Sequence, residues 1–378
     1  MIVKNEAPVI RRCLESVRPI IDHWIIVDTG STDGTQDLVR AALADLPGTL
    51  VERPWVDFAF NRTEALNLAR PRGAYTLVID ADDELIIPAG FMMPSLDAGG
   101  CNVQILDENT RYHRPQLFNN AFSWRYRGVL HEFAECKEIV WTGNLPIAMR
   151  RGHDGARRRD ATTYQRDAEI LERALIKETD PFLISRYTFY LAQSYRDCSD
   201  CRKAVEYYLK RTELGYWIEE IYISFLSAAL LMEALDEPFD RVLATFEQAI
   251  AVNPRRVEAR YHASRYCRSK MRFVEGFHIA EAGLAQALPS DGLFLQPWMY
   301  QYGMRKEYSI NALNTGQYRA SLSACLELLD GSDLPAEDRP QSVKIARSAL
   351  DKMLDPVWGS NHSAYSSEYS PSWQSSAL

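Results

Sequence analysis

Four acids, Asp80, Asp82, Asp83 and Glu84, fall within five residues directly after the apolar run 75–79. That run is rich in β-branched and aromatic residues and reads as a buried strand. Carboxylates this close repel one another, and near a core they are costly unless a cation holds them. Hard divalent cations take oxygen ligands, commonly one or two carboxylates together with substrate phosphates. The strand end is therefore a candidate seat for a metal–diphosphate ligand. A solvated acidic turn is the competing reading.

The elements that would position these acids follow from the pattern of the first eighty residues. Residues 1–3 begin like a strand but have almost no length. Strands usually run about five residues, so the true start is expected upstream of Met1. A helical apolar pattern follows over 8–17, and a second strand over 23–27. The turn-rich segment 28–34, Asp-Thr-Gly-Ser-Thr-Asp-Gly, stops it. Helix over 36–43, strand over 50–52, helix over 61–70 and the strand ending at Asp80 complete the series. Alternating strands and helices imply a parallel sheet, with ligands at the carboxyl ends of its strands. Asp28 and Asp80 both stand at such ends, which favours the ligand seat over the solvated turn.

Three segments, Met-Ile-Val-Lys-Asn-Glu at 1–6, Val-Asp-Thr-Gly-Ser-Thr-Asp-Gly-Thr at 27–35 and Ile-Asp-Ala-Asp-Asp-Glu at 79–84, resemble the family-2 glycosyltransferases of the GT-A fold in order and spacing. The resemblance implies an α/β, Rossmann-like domain with a mostly parallel sheet. It implies that Asp82, in the Asp80-Ala81-Asp82 triplet, binds Mn²⁺ or Mg²⁺ on the diphosphate of a nucleotide-sugar, while Asp80 contacts ribose or metal. Glu6 and Asp28 would touch a uridine-like nucleoside, and Arg62, in a segment similar to the family's, would approach base or phosphate. A divalent ion there neutralises the charge that develops on the leaving nucleoside diphosphate.

Residues 128–132, Gly-Val-Leu-His-Glu, are similar to a segment of the family's repeat-bearing branch. An inverting transferase needs a carboxylate facing the acceptor nucleophile. Glu132 takes that role, with His131 as orienter or donor contact and Asp83 as the rival base. His153, in a segment resembling one that closes the domain, is the candidate third metal ligand. Arg150, Arg151, Arg157, Arg158 and Arg159 form a basic cluster that could clamp a diphosphate.

From Tyr164 onward strand signals vanish. Ala192, Ala228 and Ala263 recur at 36 and 35 residues. Tyr208 and Phe246 mark the intervening helices, and Gly276 and Ala320 fall at similar phases. Helix–turn–helix pairs at this period suggest tetratricopeptide (TPR) repeats, an all-α solenoid with a concave groove, interrupted by an insertion around 291–304. Aromatics there (Tyr187, Tyr190, Tyr195, Tyr207, Tyr216, Trp217, Tyr222, Tyr261, Trp298) are expected mainly in the core. Any that face the groove would serve a peptide, protein or glycan acceptor, and the solenoid offers a surface for self-association. The expected division is a transferase domain over 1–155, repeats over 156–356 and a disordered tail over 357–378.

Composition bounds the rest. The chain is 46% apolar and 25% charged, with 43 basic and 51 acidic residues and a net charge of −8. This argues against a general nucleic-acid binder. No apolar run could span a bilayer, and Lys4, Asn5 and Glu6 interrupt what would be a signal peptide. Seven scattered cysteines favour a reduced, cytoplasmic setting. The Cys198/Cys201 pair has no second pair near it and reads as two thiols in an interhelical turn. A nucleotidyltransferase is the alternative enzyme, but the start lacks its glycine-rich basic loop. A TPR scaffold with an inactive transferase domain is the alternative outside catalysis.

Overall fold

The computed structural model describes residues 1–108, 110–138, 141–157 and 159–354; Arg158 and the expected tail from 357 lie outside them. Contacts divide the chain into two compact units, Met1–Ala204 and Val205–Leu378. The first unit thus reaches past residue 155 and takes in two helices of the repeat region.

That unit opens with β1 (Ile2–Val3), α1 (Ile10–Val17), β2 (Trp24–Asp28), α2 (Thr35–Ala42), β3 (Gly48–Glu52) and α3 (Phe58–Ala69). The strands form a parallel sheet in the order β1-β2-β3, with Ile2 opposite Val27 and Trp24 opposite Gly48. Glycine is required at position 48: a Cβ there would sit 2.2 Å from the Trp24 ring, whose Nε1 donates to Leu46 O. Asp57 starts α3, its Oδ1 accepting from Phe60 N at 2.7 Å.

The next elements are β4 (Tyr75–Leu77), β5 (Glu84–Ile86), β6 (Gly100–Asp107), β7 (Thr110–Asn119), β8 (Trp124–Arg127), β9 (Phe133–Cys136) and β10 (Thr142–Arg150). A five-stranded sheet runs β4-β7-β6-β10-β5, and β8 pairs with β9 as a separate ribbon. Parallel pairing is confined to the first sheet and to β6 with β10; the remaining pairs are antiparallel. α1 serves both sheets. Ile10 and Leu14 are buried in the core of the first, while Cys13 and Val17 are buried in the core of the second. Two i, i+4 rows on one helix make this possible.

α4 (Thr163–Lys177) and α5 (Pro181–Asp197) pack on each other within this unit, and α6 (Cys201–Thr212) crosses into the next. Asp180 starts α5, accepting from Phe182 N beside Pro181.

The second unit contains α7 (Ile218–Ala234), α8 (Phe239–Val252), α9 (Glu258–Ser269), α10 (Phe273–Glu281), α11 (Met304–Asn314), α12 (Tyr318–Asp330) and α13 (Arg339–Leu354), each packed on the next. It is a TPR-like all-α solenoid. Ala192, Ala228 and Ala263 are fully buried, one in each of α5, α7 and α9, as close helix packing at that period demands. A Cβ on Gly276 would meet the Asn311 side chain at 2.9 Å, whereas Ala320 is only half-buried. The 291–304 insertion ends in a π-helical turn, Met299–Gly303, and is held to the repeats by buried charge. Arg256 pairs with Glu219 and Glu258, and it also donates to Leu293 O. Glu219 accepts from Leu293 N and Glu258 from Gln296 N. Tyr216 and Trp217 are exposed, unlike the buried Tyr187, Tyr195 and Tyr222. No helix among the described residues is long and apolar enough to cross a membrane.

Candidate active site

The first wall of the site is the turn after β2. Asp28 has no solvent exposure. Its Oδ1 accepts from Gly30 N, Ser31 N and Gln36 Nε2 at 2.8–3.1 Å, while its buried Oδ2 has no partner. Burial alone would raise its pKa, but the hydrogen bonds from Ser31, Gly30 and Gln36 outweigh it and hold the carboxyl below its ordinary value. The turn is stapled to the first strand. Asn5, at φ 58°, donates to Ser31 Oγ and accepts from Thr32 N, and Glu6 N donates to Thr35 Oγ1.

Glu6 faces the opposite way, its Oε2 accepting from Ala156 N at 3.0 Å. Burial, with the nearby Asp82 charge, pushes its carboxyl up to about 7.

Asp80, Asp82 and Asp83 have three different fates. Asp80 accepts from Arg62 Nη2 at 2.6 Å. The same guanidinium has its Nε 2.5 Å from Glu132 Oε1, an ion pair whose N–H is not aligned for a hydrogen bond. Burial opposes the charge on Asp80, yet Arg62, then Arg114 and Arg151, hold its pKa low. Asp82 is half-buried and pairs with no cationic side chain among the described residues; burial and the Asp80 charge raise its pKa. Asp83 is 1% exposed, with Oδ1 accepting from Gly152 N at 3.1 Å. Burial and Asp80 push it up to about 7. Asp83 is thus an internal fastener of the 151–152 backbone, without the access to an acceptor that the rival-base assignment required.

The segment after β10 lies over Asp82. A Cβ on Gly152 would stand 2.0 Å from Asp82 O, and one on Gly155 2.8 Å from Asp82 Oδ2. Arg12 donates to Asp82 O and pairs with Asp154, and Arg159 donates to the Asp154 and Asn5 carbonyls. Arg150 pairs with Glu84, and Arg157 with Asp167. Of the basic cluster, Arg150, Arg157 and Arg159 are therefore engaged in contacts within the protein.

His153 does not join the acids. Its Nε2 lies 3.1 Å from Asp107 Oδ1 and 3.9 Å from Glu108 Oε1, against the β6–β7 turn. Among the described residues no three His, Cys, Asp or Glu side chains gather as a metal site. The imidazole expected as a third protein ligand is here nearest the Asp107 carboxylate. The flanking glycine at 152 is explained by close approach to Asp82 instead.

The far wall is the β8–β9 turn. His131 has a positive φ of 51°, and its ring stacks on Tyr190 of α5 at 3.7 Å. Arg186 Nε and Nη2 donate to His131 O at 3.0 and 2.7 Å, and Tyr187 Oη accepts from Val129 N. Neighbouring protein crowds the ring, yet the residue keeps solvent exposure. That surrounding protein, then Arg157, Arg186 and Arg151, push its imidazole down to about 3. It is therefore neutral near pH 7. Sequence reasoning did not find Arg114 on β7 or the roles of Arg186 and Tyr190. Two arginines close together on β7, at 111 and 114, were the available sign of the first. Nothing local marked the other two.

Residues 1–87 match the family model described as Glycosyl transferase family 2. The N-terminal unit carries a family-2 glycosyltransferase domain. An uncharacterized glycosyltransferase of Rickettsia felis is 37% identical over 86 residues, 22% of this chain and 28% of that protein. A TPR repeat-containing protein of Synechococcus elongatus is 28% identical over 274 residues, 66% of each chain. The chain thus spans just under two thirds of the cyanobacterial relative and less than a third of the rickettsial one. Among solved structures, BtubC from P. vanneervenii aligns at a TM-score of 0.36 and 15% identity, covering 57% of this chain and 79% of its own. A kinesin light chain of Podospora with TPR-like repeats aligns at 0.34 and 15%, covering 52% and 93%.

Proposed function

We propose that this glycosyltransferase domain moves a sugar from a nucleotide-sugar, of the uridine-diphosphate class, onto a peptide, protein or glycan acceptor with metal assistance and inversion. The observation that carries the reading is a pair of unsatisfied carboxylates, Asp28 at the end of β2 with a bare buried oxygen and Asp82 in the turn before β5 with no cationic partner among the described residues. A buried acceptor atom with no donor is costly, and a nucleobase N–H would satisfy Asp28 Oδ2.

Asp82 fits a hard divalent cation, Mn²⁺ or Mg²⁺. Its donor atom is a carboxylate oxygen, and both burial and Asp80 disfavour its charge in the absence of a positive partner. Asp82 would hold the ion, whose positive charge would offset the charge of the departing nucleotide. Asp80 is committed to Arg62 and acts by fixing that guanidinium beside the donor phosphates or base. Ala81, buried between the two acids, sets their spacing. Glu6 borders the donor and ties down the segment at Ala156. Glu132, paired with Arg62, takes the acceptor proton as general base. Neutral His131 hydrogen-bonds donor or acceptor. The helical half contributes to acceptor binding or self-association, and the setting is cytoplasmic.

The test is nucleoside-diphosphate binding by calorimetry with and without Mn²⁺. Asp82→Asn should lose the metal-dependent part of the affinity and lower kcat/KM for donor hydrolysis about 10³-fold, in the range of a lost electrostatic stabiliser. Unchanged metal dependence in that variant would remove Asp82 from the cation.

A further inference from the structure

Asp80 has the carboxylates proposed to meet the nucleoside on one flank and a pair of arginines on the other. Residues of β1, β2 and β4 line one crevice together. Glu6, beyond the end of β1, and Asp28, at the end of β2, therefore lie toward the free edge of β4. The other edge of β4 pairs with β7. Arg114 is on β7, and Arg151 directly follows β10. Both are close enough to act on the Asp80 charge, and Arg151 acts on His131 as well. The two arginines thus border the part of the site away from Glu6 and Asp28.

Arg150 pairs with Glu84, and Arg62 with Asp80 and Glu132, but Arg114 and Arg151 form no ion pair among the described residues. Their Nε atoms are shielded from water and have no hydrogen-bond partner. The acids nearby are already engaged: Asp80 and Glu132 share Arg62, and Asp83 accepts from Gly152 N. An amide and a hydroxyl hold the two guanidinium groups in place. Gln116, with its amide oxygen turned toward Arg114, accepts from Nη2 at 2.7 Å, and Arg151 bonds to Tyr112. Arg114 and Tyr112 are two apart on one strand and so share a face. Tyr112 is 38% exposed, so this face opens to solvent. A guanidinium held by such groups keeps its charge and its forked donors for an incoming anion. A shielded donor left empty is costly.

We infer that Arg114 and Arg151 form a subsite for an anionic group of the acceptor, a carboxylate or a phosphate, on the side of Asp80 away from the nucleoside. It would select an acidic or phosphorylated acceptor over a neutral one of the same size. That the anion belongs to the acceptor rests on the proposed glycosyl transfer; that the two arginines take an anion does not.

The test is calorimetric binding of glucose 6-phosphate, glucuronate and neutral glucose to the full chain saturated with uridine diphosphate and Mn²⁺. The two charged sugars separate phosphate from carboxylate, and at least one should bind about tenfold tighter than glucose, as charge-assisted forked bonds allow. Arg114→Gln and Arg151→Gln should each weaken that binding about tenfold and leave the nucleotide Kd within about twofold. If one variant fails to fold, the other carries the test. Lysine at either position keeps the charge without the fork and should retain part of the binding. Equal binding of the three sugars, or charged-sugar binding untouched by the substitutions, would overturn the subsite. A weaker nucleotide Kd in both variants would overturn it too, by assigning the pair to the donor diphosphate. Should the chain bind no nucleotide, the same sugars titrated alone still test the two arginines. Loss of charged-sugar binding in the variants would then support an anion site while the glycosyl-transfer reading fails.

Discussion

Asp28 ends β2 and Asp82 lies in the turn before β5, and their surroundings act on their charges in opposite ways. Three donors keep Asp28 ionised from one side and leave its second oxygen bare. Asp82 lacks such a set of donors, and burial with the neighbouring Asp80 disfavours its charge. Asp28→Asn keeps the shape but can place an amide N–H where a ligand N–H should dock. The expected result is a 10- to 100-fold weaker Kd for the nucleoside diphosphate, about 1.4–2.8 kcal/mol, with little change in Mn²⁺ dependence. Calorimetry on both variants separates the two roles. At this scale the sequence was informative where acids cluster, because four carboxylates in five residues have few bland explanations. It was silent on which acid is buried. Asp83 differs from its neighbours only in pointing at Gly152 N, and that partner lies 69 residues away.

Two elements hold the site closed around those acids. The segment following β10 crosses Asp82 so closely that only glycine fits at 152. Gly152→Ala should destabilise the unit by more than about 2 kcal/mol, as overpacking against backbone does, read as a drop in denaturation midpoint at unchanged m. The β8–β9 turn holds His131 at a positive φ, and Arg186 of α5 clamps its carbonyl with two N–H groups. Arg186→Ala should lower kcat more than it raises donor KM, and Arg186→Lys should restore only part of it, since lysine cannot reproduce the fork. Equal losses of folding and of activity would make Arg186 merely structural.

The parallel strands and their helices were legible to within two or three residues, because periods of 2 and 3.6 alternate cleanly there. The antiparallel half, β6 to β10, was not. It has no crossover helices to mark its strands, and β7 carries arginine, histidine and glutamine among its apolar residues. The contacts of α5 with the β8–β9 turn were hidden for another reason: tyrosine and arginine at helical spacing read as an ordinary packing face.

For the molecule as a whole, acid should act partly through buried histidine. Burial, then Arg265, pushes His262 down to about 4, and its ring stacks on Phe246. A histidine with a lowered folded pKa binds protons in the unfolded chain first. Stability is therefore full above about pH 6.5 and falls as pH drops toward 4. His262→Gln should flatten that part of the curve, by a few kcal/mol at most, measured as urea midpoint against pH. A slope unchanged by the substitution would assign the acid sensitivity elsewhere.

The Arg256 network has a consequence for how such an array can change length. In a simple solenoid each repeat touches only its neighbours, so units can be added or deleted with additive effects. Here Glu219 at the start of α7, Arg256 and Glu258 at the start of α9, and the backbone at 293 and 296 share one set of buried charges. Deleting the α9–α10 pair, or grafting a foreign pair after α8, would strand Glu219 without its counter-ion. These three pieces should therefore melt as one and be inherited as one, a fixed block in an otherwise modular design.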